Sequence, residues 1–96
     1  MSEQKHTTGP WFTKREGFST VYVEARLRQG VIQEVAACGP TEAGQEQQEA
    51  NARLIAAAPE LLEALEMAME IGDQCSRGFL GKFQEKARAA IAKATS

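Results

Sequence analysis

Five side chains stand out as able to hold a ligand: Tyr22, Arg26, Arg28, Asn51 and Arg53. The first three share one parity of an alternating stretch, so on a strand they face the same way. A guanidinium fork suits a phosphate or carboxylate, and a phenol ring can stack on a base. Asn51 and Arg53 lie two apart in a helical block, a polar pair beside an otherwise apolar stripe. The plain alternatives are a solvated sheet face for the strand residues, and a helix cap or internal ion pair for Asn51 and Arg53.

Nothing in the chain points to catalysis. His6, the one histidine, sits in a polar N-terminus, and no nucleophile stands beside a base. Cys38 and Cys75 have neither the spacing nor the companions of a zinc site, and two reduced thiols are the expected state. No glycine-rich phosphate loop occurs. Glu60, Glu63, Glu66 and Glu70 recur at surface helical spacing and read as a solvated face, with Met67 and Met69 as core or interface filler. The expectation is a protein that is not an enzyme, with no metal and no cofactor.

The bulk numbers agree with a small globular chain. The 96 residues carry 43% hydrophobic and 25% charged side chains and suit one modest domain. A net charge of −2 argues against general nucleic-acid binding. The charge is uneven. Residues 1–40 hold five Lys/Arg against four acids, 41–76 one against eight, and 77–96 five against one. The opposed signs of the last two segments favour two helices lying side by side, or simply two solvated faces. No run approaches a membrane span, and the N-terminus lacks a signal-peptide core, so a soluble, intracellular protein is expected.

These residues need elements to position them. Residues 1–8 are polar and aperiodic, and Gly9-Pro10 punctuates a turn. A first strand is predicted over Trp11 to Lys14, with Trp11 a core anchor, followed by a turn at Gly17. Ser19 to Arg28 alternates cleanly: Val21, Val23, Ala25 and Leu27 should face the core. The next strand runs from Val31 to about Cys38, with Val31, Val35 and Ala37 on one parity. A three-residue loop, Arg28-Gln29-Gly30, would pair Leu27 with Val31, Val23 with Val35 and Val21 with Ala37. A two-residue turn would instead bring Glu34 to the core face. Gly30 can supply the left-handed conformation of such a loop.

Gly39-Pro40 ends the strands, and the helical half, residues 41–96, begins. Thr41 is a fair N-cap, although Gly44 favours a start a few residues later. The first helix should reach about Ala57. Pro59 cannot continue it but suits the first turn of a second helix, so a break near Ala58 is expected. The second helix should run to about Ile71, with Gly72 its stop. A last helix is predicted from Phe79 to Ala94. Leu54, Leu61, Leu65 and Phe83 are expected in the core. Strands first and helices after define an α+β fold: a small antiparallel sheet in residues 9–40, with two to three helices on one face. Exposed sheet edges make pairing with a second copy an expectation.

Two stretches resemble a known group. Thr8-Gly9-Pro10-Trp11, followed by Glu49-Ala50-Asn51-Ala52-Arg53-Leu54-Ile55-Ala56-Ala57-Ala58-Pro59-Glu60-Leu61-Leu62, is similar to a broad group of small proteins of tailed bacteriophages and prophages. That group opens Thr-Pro-Gly-Pro-Trp, where this chain has Thr7-Thr8. The resemblance implies phage origin and a host-cytoplasm setting, and it transfers no catalytic residue. The layout also resembles the anti-Thoeris signal sponges of phages, which hold cyclic nucleotides between subunits. That likeness implies a binding protein that counters host defence, by sequestering a nucleotide signal or binding a defence protein such as a CRISPR effector. The alternative is a structural or assembly accessory with no ligand.

Overall fold

The computed structural model describes residues 5–75 and 81–95. The chain runs β1 (Trp11–Glu16), β2 (Thr20–Arg26), a short 3-10 turn (Arg28–Gly30), β3 (Ile32–Cys38), α1 (Gln45–Ala56), α2 (Ala58–Cys75) and α3 (Gly81–Thr95). This is the expected α+β order. Two compact units form: residues 7–59 hold the sheet and α1, and residues 60–96 with the first six hold most of α2 and α3.

The sheet has the order β1-β2-β3, antiparallel throughout. Its central strand follows the sequence pattern: Val21, Val23 and Ala25 are buried, and Ala52 of α1 meets this layer. Trp11, Val35, Ala36, Cys38, Ile55 and Ala56 close around it, half-buried. Trp11 is thus a core anchor, and its indole N–H donates to the Thr7 carbonyl at 3.1 Å.

The three-residue β2–β3 loop forms, and Leu27 N–H donates to Val31 O at 2.7 Å. Next to the loop the pairing follows expectation: Arg26 faces Ile32 and Ala25 faces Gln33. A β-bulge between Val23 and Glu24 then shifts the register by one residue. Val23 faces Ala36 instead of Val35, and Val21 faces Cys38 instead of Ala37. The extra residue changes the parity of β3. Val35, Ala36 and Cys38 all reach the core, while Ala37 is exposed. Leu27 and Val31 also depart from the core, because β2 ends at Arg26 and both lie at the loop.

The helices depart from expectation in two places, the N-cap of α1 and the end of α2, while the break between α1 and α2 falls where Pro59 predicts it. Gly44, at φ +94°, is the N-cap of α1, and Thr41 instead donates its hydroxyl to the Gly44 carbonyl at 3.2 Å. The break before α2 falls at Ala57, whose N–H reaches the carbonyls of Arg53 and Leu54, and Pro59 sits in the first turn of α2 as expected. Gly72 does not end α2, which continues to Cys75. A mid-helix glycine costs only about 0.5–1 kcal/mol relative to alanine, too little to stop a helix by itself. The expected start of the last helix at Phe79 lies outside the described residues.

The face of α1 that meets the sheet is Gln48, Ala52, Ile55 and Ala56, not the Leu54 side. Leu54 is 65% exposed, and Leu61 and Phe83 are also exposed in the single chain, with Leu65 half-buried. Helical spacing alone did not separate the Leu54 side from the Ala52 side, since both carry apolar residues. Gln48 is the deciding residue. It is 1% exposed, and its amide donates to the Ser19 carbonyl at 2.9 Å and the Cys38 carbonyl at 2.8 Å. Its own oxygen accepts from Arg15 Nη2 at 3.0 Å. A buried group left without its partner costs ~1–3 kcal/mol. Gln48→Ala should therefore destabilise the protein by about 2 kcal/mol in urea unfolding, while Gln47→Ala on the exposed side of α1 should leave the midpoint nearly unchanged.

Candidate binding surface at the hairpin end

The outer face of the sheet carries Phe12, Tyr22, Glu24 and Arg26 between the two edges. Phe12 pairs with Glu24, which brings it diagonal to Arg26. The Arg26 guanidinium carbon sits 5.4 Å from the Phe12 ring centroid, a cation–π contact. Tyr22 shares this face, half-buried, one Glu24 away from Arg26. Arg28 lies in the 3-10 turn and is exposed. Among the described residues it has no ion pair.

Arg26 and Arg28 come together at the end of the β2–β3 hairpin. There Thr8, Gly9, Arg26, Leu27, Arg28 and Val31 line a half-open hollow of about 670 Å³. That volume is within the ~300–1,000 Å³ range of small-molecule sites. Its make-up is mixed: Leu27 and Val31, 38% and 55% exposed, give apolar wall, and two guanidinium groups give donors. Such a combination can accept a flat, partly apolar ligand bearing an anionic group.

The other sequence candidates lie elsewhere. Tyr22 is on the same sheet face but does not line the hollow. Asn51 and Arg53 are exposed on α1, which packs against the inner face of the sheet. Arg53 stands 4.0 Å from Glu49 one helical turn away, a loose pair on the surface. The structure therefore joins Arg26 to Arg28 and leaves Asn51 and Arg53 apart from them.

Sequence reasoning passed over two groups of residues. Leu27 and Val31 were assigned to the core, and the loop turns them into lining. Arg15 was placed beyond the first strand, yet β1 extends to Glu16 and holds it on the inner face, in step with Trp11 and Thr13. There its Nε donates to Glu49 at 2.7 Å, and Nη1 donates to the Gly17 carbonyl at 3.2 Å. The signal available was parity: Trp11, Thr13 and Arg15 alternate. This cluster is structural, since each of the three guanidinium nitrogens of Arg15 donates within the fold. Among the described residues, no group of three His, Cys, Asp or Glu could hold a metal. No described helix is long and apolar enough to cross a membrane.

A three-stranded antiparallel sheet backed by a helix, followed by two further helices, defines a small α+β protein. The chain belongs to the family of Salmonella phage P22 protein Y8K6, whose model matches residues 1–96. Phage origin is thereby established, in line with the likeness of its two sequence blocks. Neither a curated protein nor a solved structure matches the chain.

The loop that presents Arg28 depends on two residues in the left-handed region, Gln29 at φ +64° and Gly30 at φ +78°. Gly30 was expected there and Gln29 was not. A Cβ on Gly30 would meet nothing within 4 Å, so the effect of a side chain there is purely backbone. Gly30→Ala should lower stability by ~1–2 kcal/mol in chemical denaturation and loosen the loop. Gly39→Ala, at an open position with ordinary φ, should be close to neutral.

Proposed function

We propose that this phage protein is a non-enzymatic binding protein acting in the host cytoplasm to blunt antiviral defence, by sequestering a nucleotide-type immune signal. The observation that supports this is the convergence of Arg26 and Arg28 on one hollow with an apolar wall. A nucleotide has both parts such a hollow accepts: phosphate oxygens for guanidinium forks and a flat ring for apolar contact. Tyr22 and Phe12 on the adjoining sheet face offer aromatic surface to a second ring. The chain's net charge of −2 means that attraction for an anion is local to this hairpin end and not a property of the whole surface.

Two other readings are separated by experiment. Direct binding of a defence protein, such as a CRISPR effector, predicts co-purification with one host protein during infection. A structural or assembly accessory predicts that variants at Arg26 and Arg28 behave like the parent in infection.

Differential scanning fluorimetry with cyclic dinucleotides and other phosphate-bearing cyclic nucleotides tests the proposal. A ligand at 100 times its Kd should add ~2.7 kcal/mol, readable as a rise in Tm. Arg26→Ala and Arg28→Ala should each reduce the rise, and Arg53→Ala should not. No rise with any of these nucleotides removes the signal-sequestering reading.

A further inference from the structure

We infer that Phe12 is the positioning residue of the hairpin-end hollow: its ring holds the Arg26 guanidinium there and leaves the N–H groups free for a phosphate oxyanion. This role rests on the reading of the hollow as an anion site.

The contact follows from the register of the sheet. β1 begins opposite Ala25, so Phe12, opposite Glu24, is diagonal to Arg26 on the outer face. Diagonal positions lie about 7–8 Å apart, within reach of an aromatic ring and a long side chain. The Arg26 guanidinium carbon stands 5.4 Å from the ring centroid. The face of an aromatic ring carries the negative part of its quadrupole, so it attracts the cation. Both residues belong to the sheet unit, and Arg26 lines the hollow.

How a guanidinium is held decides what it can still bind. Arg15, on the inner face, is fixed by hydrogen bonds: Nε donates to Glu49, Nη1 to the Gly17 carbonyl and Nη2 to Gln48. Each bond uses a donor, and that side chain is committed to the fold. Arg26 is held by a ring instead, and a ring takes its charge without accepting along the fork. Two carboxylates are near enough in register to compete: Glu24 on the same face of β2, and Glu34, diagonal to Arg26 across β3. Yet among the described residues Arg26 has no ion pair. Its fork therefore stays open for a bidentate bond to phosphate.

The two arginines of the hollow thus differ. Arg28, in the 3-10 turn, has neither an ion pair nor a ring contact among the described residues. Ordering an unsupported arginine costs affinity at the moment of binding, and the Phe12 contact removes part of that cost for Arg26 beforehand. An exposed cation–π contact corresponds to a factor of about 2–5 in affinity.

NMR on the full chain tests this role, first without a ligand and then with inorganic pyrophosphate as the probe. In the free protein, the Arg26 side-chain protons should show an upfield ring-current shift. Phe12→Leu should remove the shift and Phe12→Tyr should keep it, with the amide signals of Val21 and Val23 unmoved. In titration, Phe12→Leu should raise the Kd for pyrophosphate about 2–5-fold, and Phe12→Tyr should leave it at the parent value. Phe12→Leu should have no further effect in an Arg26→Ala background and its full effect in an Arg28→Ala background. An effect that persists without Arg26 makes Phe12 a structural residue and overturns the inference, as does an Arg26 side chain with no ring-current shift. A clear ring-current shift in a parent protein that binds no pyrophosphate overturns the anion reading of the hollow, and the role of Phe12 with it.

Discussion

A single buried amide sets the geometry of the sheet unit. Gln48 occupies a position where the helix period calls for an apolar residue, and every polar atom of its side chain that the fold encloses has a partner. Its two donated bonds end on Ser19, in the β1–β2 turn, and on Cys38, the last residue of β3. The bond that it accepts comes from Arg15 near the end of β1. One side chain thus gathers the ends of all three strands. Hydrogen bonds tolerate displacements of a few tenths of an ångström, so this arrangement fixes both the height and the rotation of α1 over the sheet. Ala52, one turn on and fully buried, lets the helix backbone come close once that rotation is set. The salt bridge from Arg15 to Glu49 lies half-exposed beside the amide, and its role is to hold the guanidinium on Gln48 more than to add stability of its own.

The same constraint explains what the sequence could and could not disclose. Element types were legible because they rest on local signals: the alternation in β2, proline in the first turn of α2, and glycine at the turns. The three-residue loop was legible because side-chain facing excluded the shorter turn. The bulge was not. It inserts Val35 without a turn residue to mark it, and both parities of β3 hold apolar residues that could serve the core. Gln48 was hidden for a related reason. In a run of Gln and Glu, composition reads as surface, and only the i+4 and i+7 relation to Ala52 and Ile55 marks it as inward. The extension of α2 past Gly72 was not legible because a glycine that ends a helix and one that lies within it look alike in sequence.

The candidate site was half legible. Arg26 lies on the outer strand face that its parity predicts, whereas Arg28, assigned the same face by parity, lies in the 3-10 turn because β2 ends at Arg26. Leu27 and Val31 continue the apolar parity of the two strands in the sequence, but pairing ends one residue short of each, at Arg26 and Ile32. Asn51 and Arg53 drew attention by contrast with the apolar block around them, yet that block proves to be architectural. Glu49 holds Arg15, Ala52 fills the core, Ile55 and Ala56 close it, and Pro59 opens the next helix. The stretch from Glu49 to Leu62 that resembles other phage proteins is therefore accounted for by folding, and Asn51 and Arg53 are its solvent side.

That division has a consequence for where ligand chemistry can occur on the sheet unit. The inner face is occupied by α1, and its buried polar group, Gln48, is committed to Arg15, Ser19 and Cys38. The outer face and the hairpin end carry exposed guanidinium groups, Arg26 and Arg28. There the backbone itself is unusual: Gln29 is the one described non-glycine residue with positive φ, and it sits directly beside Arg28. A left-handed glutamine is disfavoured unless its surroundings hold it, and such positions cluster where a loop has a task beyond connection. The Leu27 N–H to Val31 carbonyl bond clamps the base of the loop and forces the turn into three residues. A relaxed two-residue turn would have moved Val31 and Arg28 onto other faces and dissolved the hollow. The strain at Gln29 is thus coupled to the same geometry that sets two guanidinium groups around one apolar wall.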